Sequence, residues 1–320
     1  MTVPIVLLVY NRPKHLTKSL NSLKKIKKIK KIYFFCDGPK QDVSKKNLEN
    51  IEKCRNIIKN VDWVNKKIYF QKKNIGLKNT LLLSAEIIFD KFKHEFVVYL
   101  EDDNIVLPGF YEYMRMCSRK FSANKNIFSV TGYNFLLNKK LYKEINEDYF
   151  FSNYTNTWAI GFWKRSWKIW KKEILNLQGS PKRNIFKKVL KSKNYILYDA
   201  LIEGYLKTSN AGNTYFYTSW KYNKLNVYPK YPLIQNIGMD GSGENCIPTK
   251  KYENEKKFSS NYKFKIFKKK FETNKNIEKY LLAKNKITKK KIIFFELCPF
   301  IFQIPTLKIY STFLKLFKKH

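Results

Sequence analysis

The sequence predicts an α/β fold, a Rossmann-like and mostly parallel sheet with helices on both faces. Three observations predict it. Short apolar runs rich in β-branched and aromatic residues recur at 3–10, 31–36, 67–70 and 96–100, the pattern of strands buried on both faces. The segments between them place apolar residues at helical spacing, so strand and helix alternate through short joints. Each run also ends in a polar cluster: Asn11-Arg12-Pro13, Asp37-Gly38-Pro39, Asn74-Ile75-Gly76-Leu77 and Glu101-Asp102-Asp103. In a parallel sheet those ends share one edge, where the ligands of open α/β sheets gather.

Taken in order, residues 3–10 lack the basic start of a signal peptide and read as a first strand. Pro13 suits an early helical position, and Leu16, Leu20 and Leu23 continue the helix. Lys31 to Cys36 is a second strand. Residues 44–60 form a helix with Leu48, Ile51, Ile57 and Ile58 inward. Lys67 to Phe70 is a third strand and 78–92 a third helix. The fourth strand, Phe96 to Leu100, runs straight into three acids. Side chains alternate along a strand, so Glu101 and Asp103 are expected on one side and Asp102 on the other. Three carboxylates at a buried strand's end repel one another, and a divalent cation would neutralise them; a solvated acidic turn before Pro108-Gly109 is the plainer reading. Asp37 can accept the N–H of a pyrimidine base, Gly76 lets backbone approach a phosphate, and Arg12 or Lys78 can offset phosphate charge.

Composition bounds the rest. The 320 residues suit one large domain or two small ones, and 44% hydrophobic content with 17% aromatics can build a core. The net charge of +39 points first to nucleic acid or an anionic membrane. Lys, Asn, Ile, Tyr and Phe are over-used together, however, and their A/T-rich codons account for much of the lysine, so no nucleic-acid partner is expected. Five scattered cysteines form no CxxC pair, which indicates neither zinc nor a disulfide framework and fits a reducing compartment.

The order of Pro4-Ile5-Val6, Asn11-Arg12-Pro13 with Leu16, Asp37-Gly38, Asn74-Ile75-Gly76-Leu77-Lys78 and Leu100-Glu101-Asp102-Asp103 resembles GT-A fold glycosyltransferases. It is similar to bacterial family 2-like sugar transferases and to N-acetylglucosaminyltransferases that carry a Glu-Asp-Asp motif. The resemblance spans about residues 3–248 and implies a nucleotide-sugar donor and Mn²⁺ or Mg²⁺. It implies donor contacts from the first strand's end (Val9, Tyr10, Asn11, Arg12), from Asn74, Gly76 and Lys78, and from Glu101. Asp37 would meet the base, Asp102 the ribose or sugar, and Asp103 the metal. A sugar nucleotidyltransferase would use the same sheet, but normally with a Gly-rich basic loop after the first strand, and Asn11-Arg12-Pro13 is not that.

Further on, Phe110 to Tyr113 starts a helix, and Ile127 to Asn134 is a strand leading away from the acidic motif. Gly161 resembles the family's Gly-aromatic segment beside the donor sugar. Trp158 and Trp163 are acceptor-site candidates, whereas Trp167 and Trp170 read as core. By the resemblance Asp199 is the general base, with Glu203 in reserve; Asp199 also suits a helix N-cap. Residues 214–237 read as strand-rich. The family often places a histidine just past Gly241-Ser242-Gly243 to complete the metal site, where this chain has Asn245.

The boundary is drawn at 249. Residues 250–320 hold 20 Lys against 5 Glu and form a basic C-terminal helical extension. Residues 292–304 are apolar but interrupted by Glu296 and Pro299, a poor membrane span. Residues 306–320 place Leu307, Tyr310, Phe313, Leu314 and Phe317 on one helical face among lysines, which suits an anionic membrane surface or docking on the catalytic domain. The expectation is an enzyme in the cytoplasm, peripheral on the inner face of the membrane, with a glycan or lipid-linked glycan acceptor.

Overall fold

The computed structural model describes residues 2–134, 137–177, 188, 189, 191, 192, 197, 211–243, 248, 249, 262, 264 and 271–284. The four apolar runs become β1 (Ile5–Val9), β2 (Lys31–Cys36), β3 (Asn65–Phe70) and β4 (Phe96–Glu101). Between them lie α1 (Pro13–Lys24), α2 (Lys45–Lys59) and α3 (Gly76–Glu86), the last continuing into a π-helical turn, Ile87–Lys91. Ser44 caps α2 through a hydroxyl that accepts from the Asn47 N–H. Pro13 opens α1, but the residue in the capping position is Arg12, whose side chain makes no cap bond.

After β4 come β5 (Asn104–Val106), α4 (Phe110–Lys120), β6 (Ile127–Thr131), α5 (Lys139–Glu144), β7 (Tyr149–Ser152), β8 (Ile160–Trp163) and α6 (Lys164–Leu177). Then follow α7 (Ala211–Lys221), β9 (Leu225–Pro229), β10 (Ile234–Asn236) and α8 (Lys275–Lys284). Three expectations need correction, the first being that Leu48 faces inward: it lies exposed, and Ile51, Cys54 and Ile58 form the buried face of α2. Residues 214–221 are helical, not extended: Tyr215 and Tyr217 mimic a period of two, but Tyr215 packs on Phe128, Phe162 and Trp170, and a helix brings Thr218 back to donate to the Thr214 carbonyl. The strand β6 runs parallel to β4, because both are antiparallel to β8 between them. It therefore leads towards the acidic motif's edge and not away from it.

Among the described residues, eight strands form one sheet in the order β3-β2-β1-β4-β8-β6-β9-β7. β1 to β4 are parallel, β6 and β9 are parallel, and β8 and β7 run against their neighbours. This is the mixed α/β fold with a large, mostly parallel central sheet that the sequence predicts. Alternation assigns each strand residue to a face. Ile5, Leu7, Ile32, Phe34, Val98 and Leu100 meet Leu16, Leu20, Ile58 and Met114 of α1, α2 and α4. Val6, Leu8, Tyr33, Phe35, Val97 and Tyr99 meet Ile88, Trp167, Trp170 and Tyr215 on the other side. Cys36, Cys54 and Cys117 are free and buried. Among the described residues no helix is long and apolar enough to cross a membrane.

Part of the chain beyond 249 joins the same body. Ile277 and Leu281 of α8 are fully buried against Leu141, Phe150 and Tyr228. Phe264 packs on Tyr113 and covers Gly109. Glu278 accepts the Asn153 N–H at 3.2 Å, and burial raises its pKa above the ordinary 4.5. A raised carboxyl contributes stability that is present below the unfolded-state pKa and lost as pH rises through the folded one. Glu278→Gln keeps an acceptor without the buried charge. Its melting temperature relative to wild type is expected to be higher at pH 8 than at pH 4, measured by scanning calorimetry; a difference independent of pH would contradict the burial of an ionised Glu278.

Candidate active site

The strand ends at Val9, Cys36, Phe70 and Glu101 lie on one edge, and hydrogen bonds tie their loops together. The Asp37 N–H donates to the Val9 carbonyl at 2.9 Å, and the Tyr10 N–H donates to Asp102 Oδ2 at 3.3 Å. Asn74 donates through Nδ2 to the Gly38 carbonyl, and through its N–H to the Pro39 carbonyl. Gly38 has no room for a side chain: a Cβ would lie 2.5 Å from the Lys73 carbonyl carbon.

Asp37 has a structural task that the sequence did not disclose. Its Oδ1 accepts the Gly38 and Ile75 N–H groups and its Oδ2 accepts that of Gly76, each at 2.9 Å. The last two belong to the start of α3, so the carboxylate caps a helix N-terminus as an anion should. Gly76 sits at φ +80° with nothing within 4 Å of a notional Cβ, which leaves its outer side open. Lys78 is buried in the first turn of α3. Asn11 faces α2 instead, with Nδ2 donating to Asn47 Oδ1.

The acidic motif is a turn. Asn104 Oδ1 accepts the Glu101 N–H at 3.2 Å, closing the chain on itself and ending strand alternation at Glu101. Asp102 and Asp103 therefore do not point to opposite sides. Both meet Arg12, whose Nη2 bonds Asp102 Oδ1 and lies 2.8 Å from Asp103 Oδ2. The three side chains are 15%, 3% and 7% exposed. Burial opposes the Arg12 charge, but Asp102 and Asp103 outweigh it and raise its pKa. Burial pushes Asp102 up to about 6 despite Arg12. Burial, then Asp103 and Asp102, holds Glu101 well above the usual carboxylate range.

A second strap fixes Asp103. β5 pairs with β10, with Asn104 opposite Asn236. Asn104 Nδ2 donates to Asp103 Oδ1 at 2.7 Å and Asn236 Nδ2 does so at 3.3 Å. The Gly238 N–H turns back onto Asn236 Oδ1 at 2.8 Å, placing Gly238 against the acids. A Cβ there would stand 2.1 Å from Asp103 Oδ2 and 2.8 Å from Arg12 Nη1. His15 reaches the same loop, 3.0 Å from Asp240 Oδ2. Asn104, Asn236 and Gly238 escaped sequence reasoning, although an Asn two residues before a Gly is a turn signal.

β6 and the start of β8 bring more residues to this edge. The Gly132 N–H donates to the Ala159 carbonyl, and the Leu233 N–H to the Gly132 carbonyl. Ala159 is held at φ +53°, an uncommon state for a residue with a Cβ. Trp158, half-buried, stands edge-on to Tyr133. Gly161 lies deeper, paired with Val98 and Val130; a Cβ would meet the Phe96 ring at 2.4 Å, so the ring accounts for the glycine. Trp163 pairs with Phe96 at the start of β4 and is buried at the opposite edge, which removes it from any acceptor site. Trp167 and Trp170 are core residues. Asp199, Glu203 and Asn245 lie outside the described residues, as does the helix expected at 306–320.

The residues present fit a divalent cation. Their ligand atoms are carboxylate oxygens, which suit Mg²⁺ or Mn²⁺ rather than softer metals. Asp102 and Asp103 share the Arg12 guanidinium, and burial, then these two neighbouring carboxylates, pushes Glu101 up to about 8. Among the described residues no three His, Cys, Asp or Glu side chains form a metal cage. The arrangement instead suits a sparse site, in which one or two carboxylates share the ion with substrate phosphates and water.

No protein-family model matches this sequence, and no curated protein matches it. Similar solved structures include the mannosyltransferase PcManGT from Pyrobaculum calidifontis, in complex with GDP-Man and Mn²⁺, at 10% identity and TM-score 0.32, over 56% of this chain and 47% of that one. Others are apo UDP-glucose pyrophosphorylase, at 9% identity and TM-score 0.37, over 72% and 91%, and GalNAc-T7 with UDP, GalNAc and Mn²⁺, at 14% and 0.42, over 71% and 42%. This chain thus spans less than half the length of the two transferases. Overlaps this slight assign a role to no residue.

Two substitutions test the geometry. Asp37→Asn turns an amide N–H towards backbone N–H donors and is expected to cost about 1–3 kcal/mol, read from urea denaturation without ligand; unchanged stability would mean that the α3 cap carries no weight. Gly238→Ala forces Asp103 and Arg12 apart and is expected to cost about 1–3 kcal/mol by overpacking. A fully stable Gly238→Ala protein would contradict the close contact.

Proposed function

We propose that this chain is a metal-dependent glycosyltransferase of the GT-A type, which moves a sugar from a nucleotide-diphosphate donor, UDP-linked by preference, to a hydroxyl of a surface glycan such as lipopolysaccharide or capsule. The observation that carries this reading is the convergence of Arg12, Asp37, Asp102 and Asp103 at the carboxyl edge of four parallel strands, in the order of motifs that resembles the family.

In this reading the open side of the Asp37 and Gly76 loops receives the nucleotide. Asp37, held by three backbone N–H groups, keeps one acceptor site, on Oδ2, for the base. Arg12 can form paired hydrogen bonds to a phosphate, and Asp102, anchored by the Tyr10 N–H, faces the ribose or sugar. A divalent ion at Asp103 would neutralise the charge that develops on the diphosphate leaving group. The acceptor oxygen attacks the anomeric carbon, the bond to the diphosphate oxygen breaks with its electron pair, and the acceptor proton passes to a base. Asp199 is the proposed base and Glu203 its reserve; direct displacement of this kind inverts the anomeric centre. The half-buried Trp158 beside Tyr133 offers an aromatic face to an acceptor sugar. The basic extension is proposed to hold the enzyme on the cytoplasmic face of an anionic membrane.

A panel of nucleotide sugars with Mn²⁺, Mg²⁺ or EDTA tests this by thermal shift and product release. The expected result is metal-dependent stabilisation by one nucleotide class and release of the nucleoside diphosphate, both lost in Asp103→Ala. Release of pyrophosphate from a nucleoside triphosphate and a sugar phosphate would instead identify a nucleotidyltransferase. Full transfer by Asp103→Ala would refute the metal assignment.

A further inference from the structure

We infer that Arg12 is an internal counter-cation that occupies the metal-facing oxygen of Asp103 and must leave it before a divalent ion can bind. The inference rests on the metal-dependent reading above and concerns how that site is opened.

Both oxygens of Asp103 are engaged. Oδ1 receives Asn104 Nδ2 and Asn236 Nδ2 at 2.7 and 3.3 Å, and Oδ2 faces Arg12 Nη2 at 2.8 Å. Rotation of the carboxylate offers no escape. The two asparagines hold one oxygen, and the Gly238 backbone lies so close to the other that even a methyl group would fall 2.1 Å from it. A divalent ion approaching Oδ2 therefore meets a guanidinium already in contact, and two cations at one desolvated oxygen repel strongly. The Arg12 side chain can turn without breaking a bond to α1. It stands in the capping position of α1 without a cap bond, on the loop at the end of β1, and its carboxylate partners Asp102 and Asp103 belong to one turn. A diphosphate offers the same planar fork an alternative pair of acceptors. Diphosphate and metal then assist each other: the first draws Arg12 away from Asp103, and the second takes the oxygen that Arg12 gives up. Such coupling is typically about 5- to 150-fold in affinity.

The test is Mn²⁺ binding to the full chain, followed by the electron paramagnetic resonance signal of free Mn²⁺, with no sugar donor and no turnover. Wild type is expected to bind MnCl₂ weakly alone and at least about tenfold more tightly with UDP. Arg12→Met is expected to bind MnCl₂ alone at least about tenfold more tightly than wild type and to gain less from UDP than wild type does, keeping the part that the phosphates supply as ligands. Circular dichroism establishes folding, and Arg12→Gln, which removes the charge but keeps a hydrogen-bond donor for the carboxylates, is the second variant should the methionine protein unfold; it too is expected to bind MnCl₂ alone more tightly than wild type. Equal or weaker Mn²⁺ binding by a folded Arg12 variant, with binding still abolished by Asp103→Asn, would overturn the gate and leave the metal site standing. Absence of Mn²⁺ binding from every form, with and without UDP, would overturn both.

Discussion

The constraint on which the site depends is the desolvation of three adjacent carboxylates at the end of a fully apolar strand. Like charges at 4 Å repel by roughly 4 kcal/mol at an effective dielectric of about 20, and burial adds to that cost. The chain around Glu101-Asp102-Asp103 can be understood as compensation. Arg12 supplies a guanidinium to Asp102 and Asp103, Tyr10 an N–H to Asp102, and Asn104 and Asn236 amide donors to Asp103. Burial, ahead of its two acidic neighbours, still holds Glu101 well above its ordinary pKa. Two buried carboxylates, Asp102 and Asp103, thus share one guanidinium.

The same compensation explains why remote segments are needed. The donors to Asp103 come from β5 and β10, and β10 lies some 130 residues further along the chain than the acids. The short β5–β10 ladder presses Gly238 against the Arg12–Asp103 pair, so the site is rigid on the Asp103 side. On the Asp37 and Gly76 side a carboxylate staples two loops and leaves open space beyond Gly76.

The sheet was legible because burial on both faces leaves a signature that needs no tertiary knowledge: continuous apolar runs, and helices between them with apolar spacing. The same logic failed where local pattern and tertiary packing diverged. Tyr215 and Tyr217 alternate like strand residues, yet the aromatic cluster around Trp170 and Phe128 selects a helix. Trp158 and Trp163 look equivalent in sequence, but β8 runs antiparallel to β4 and puts them at opposite edges of the sheet. Gly161 reads in sequence as a binding residue, whereas the Phe96 ring gives it a packing reason.

By itself the sequence determined the alternation of strand and helix, and with it the edge on which Asp37, Asp102 and Asp103 lie. A parallel sheet with short joints sends every strand's polar end the same way. Only the tertiary structure decided which groups touch there. Whether Arg12 faces solvent or the acids, whether Asp102 and Asp103 diverge or share a partner, and which asparagines hold Asp103 all depend on a turn at 101–104 and a ladder formed across some 130 residues. Those contacts are set by packing and charge compensation between distant segments, and local periodicity carries no record of them.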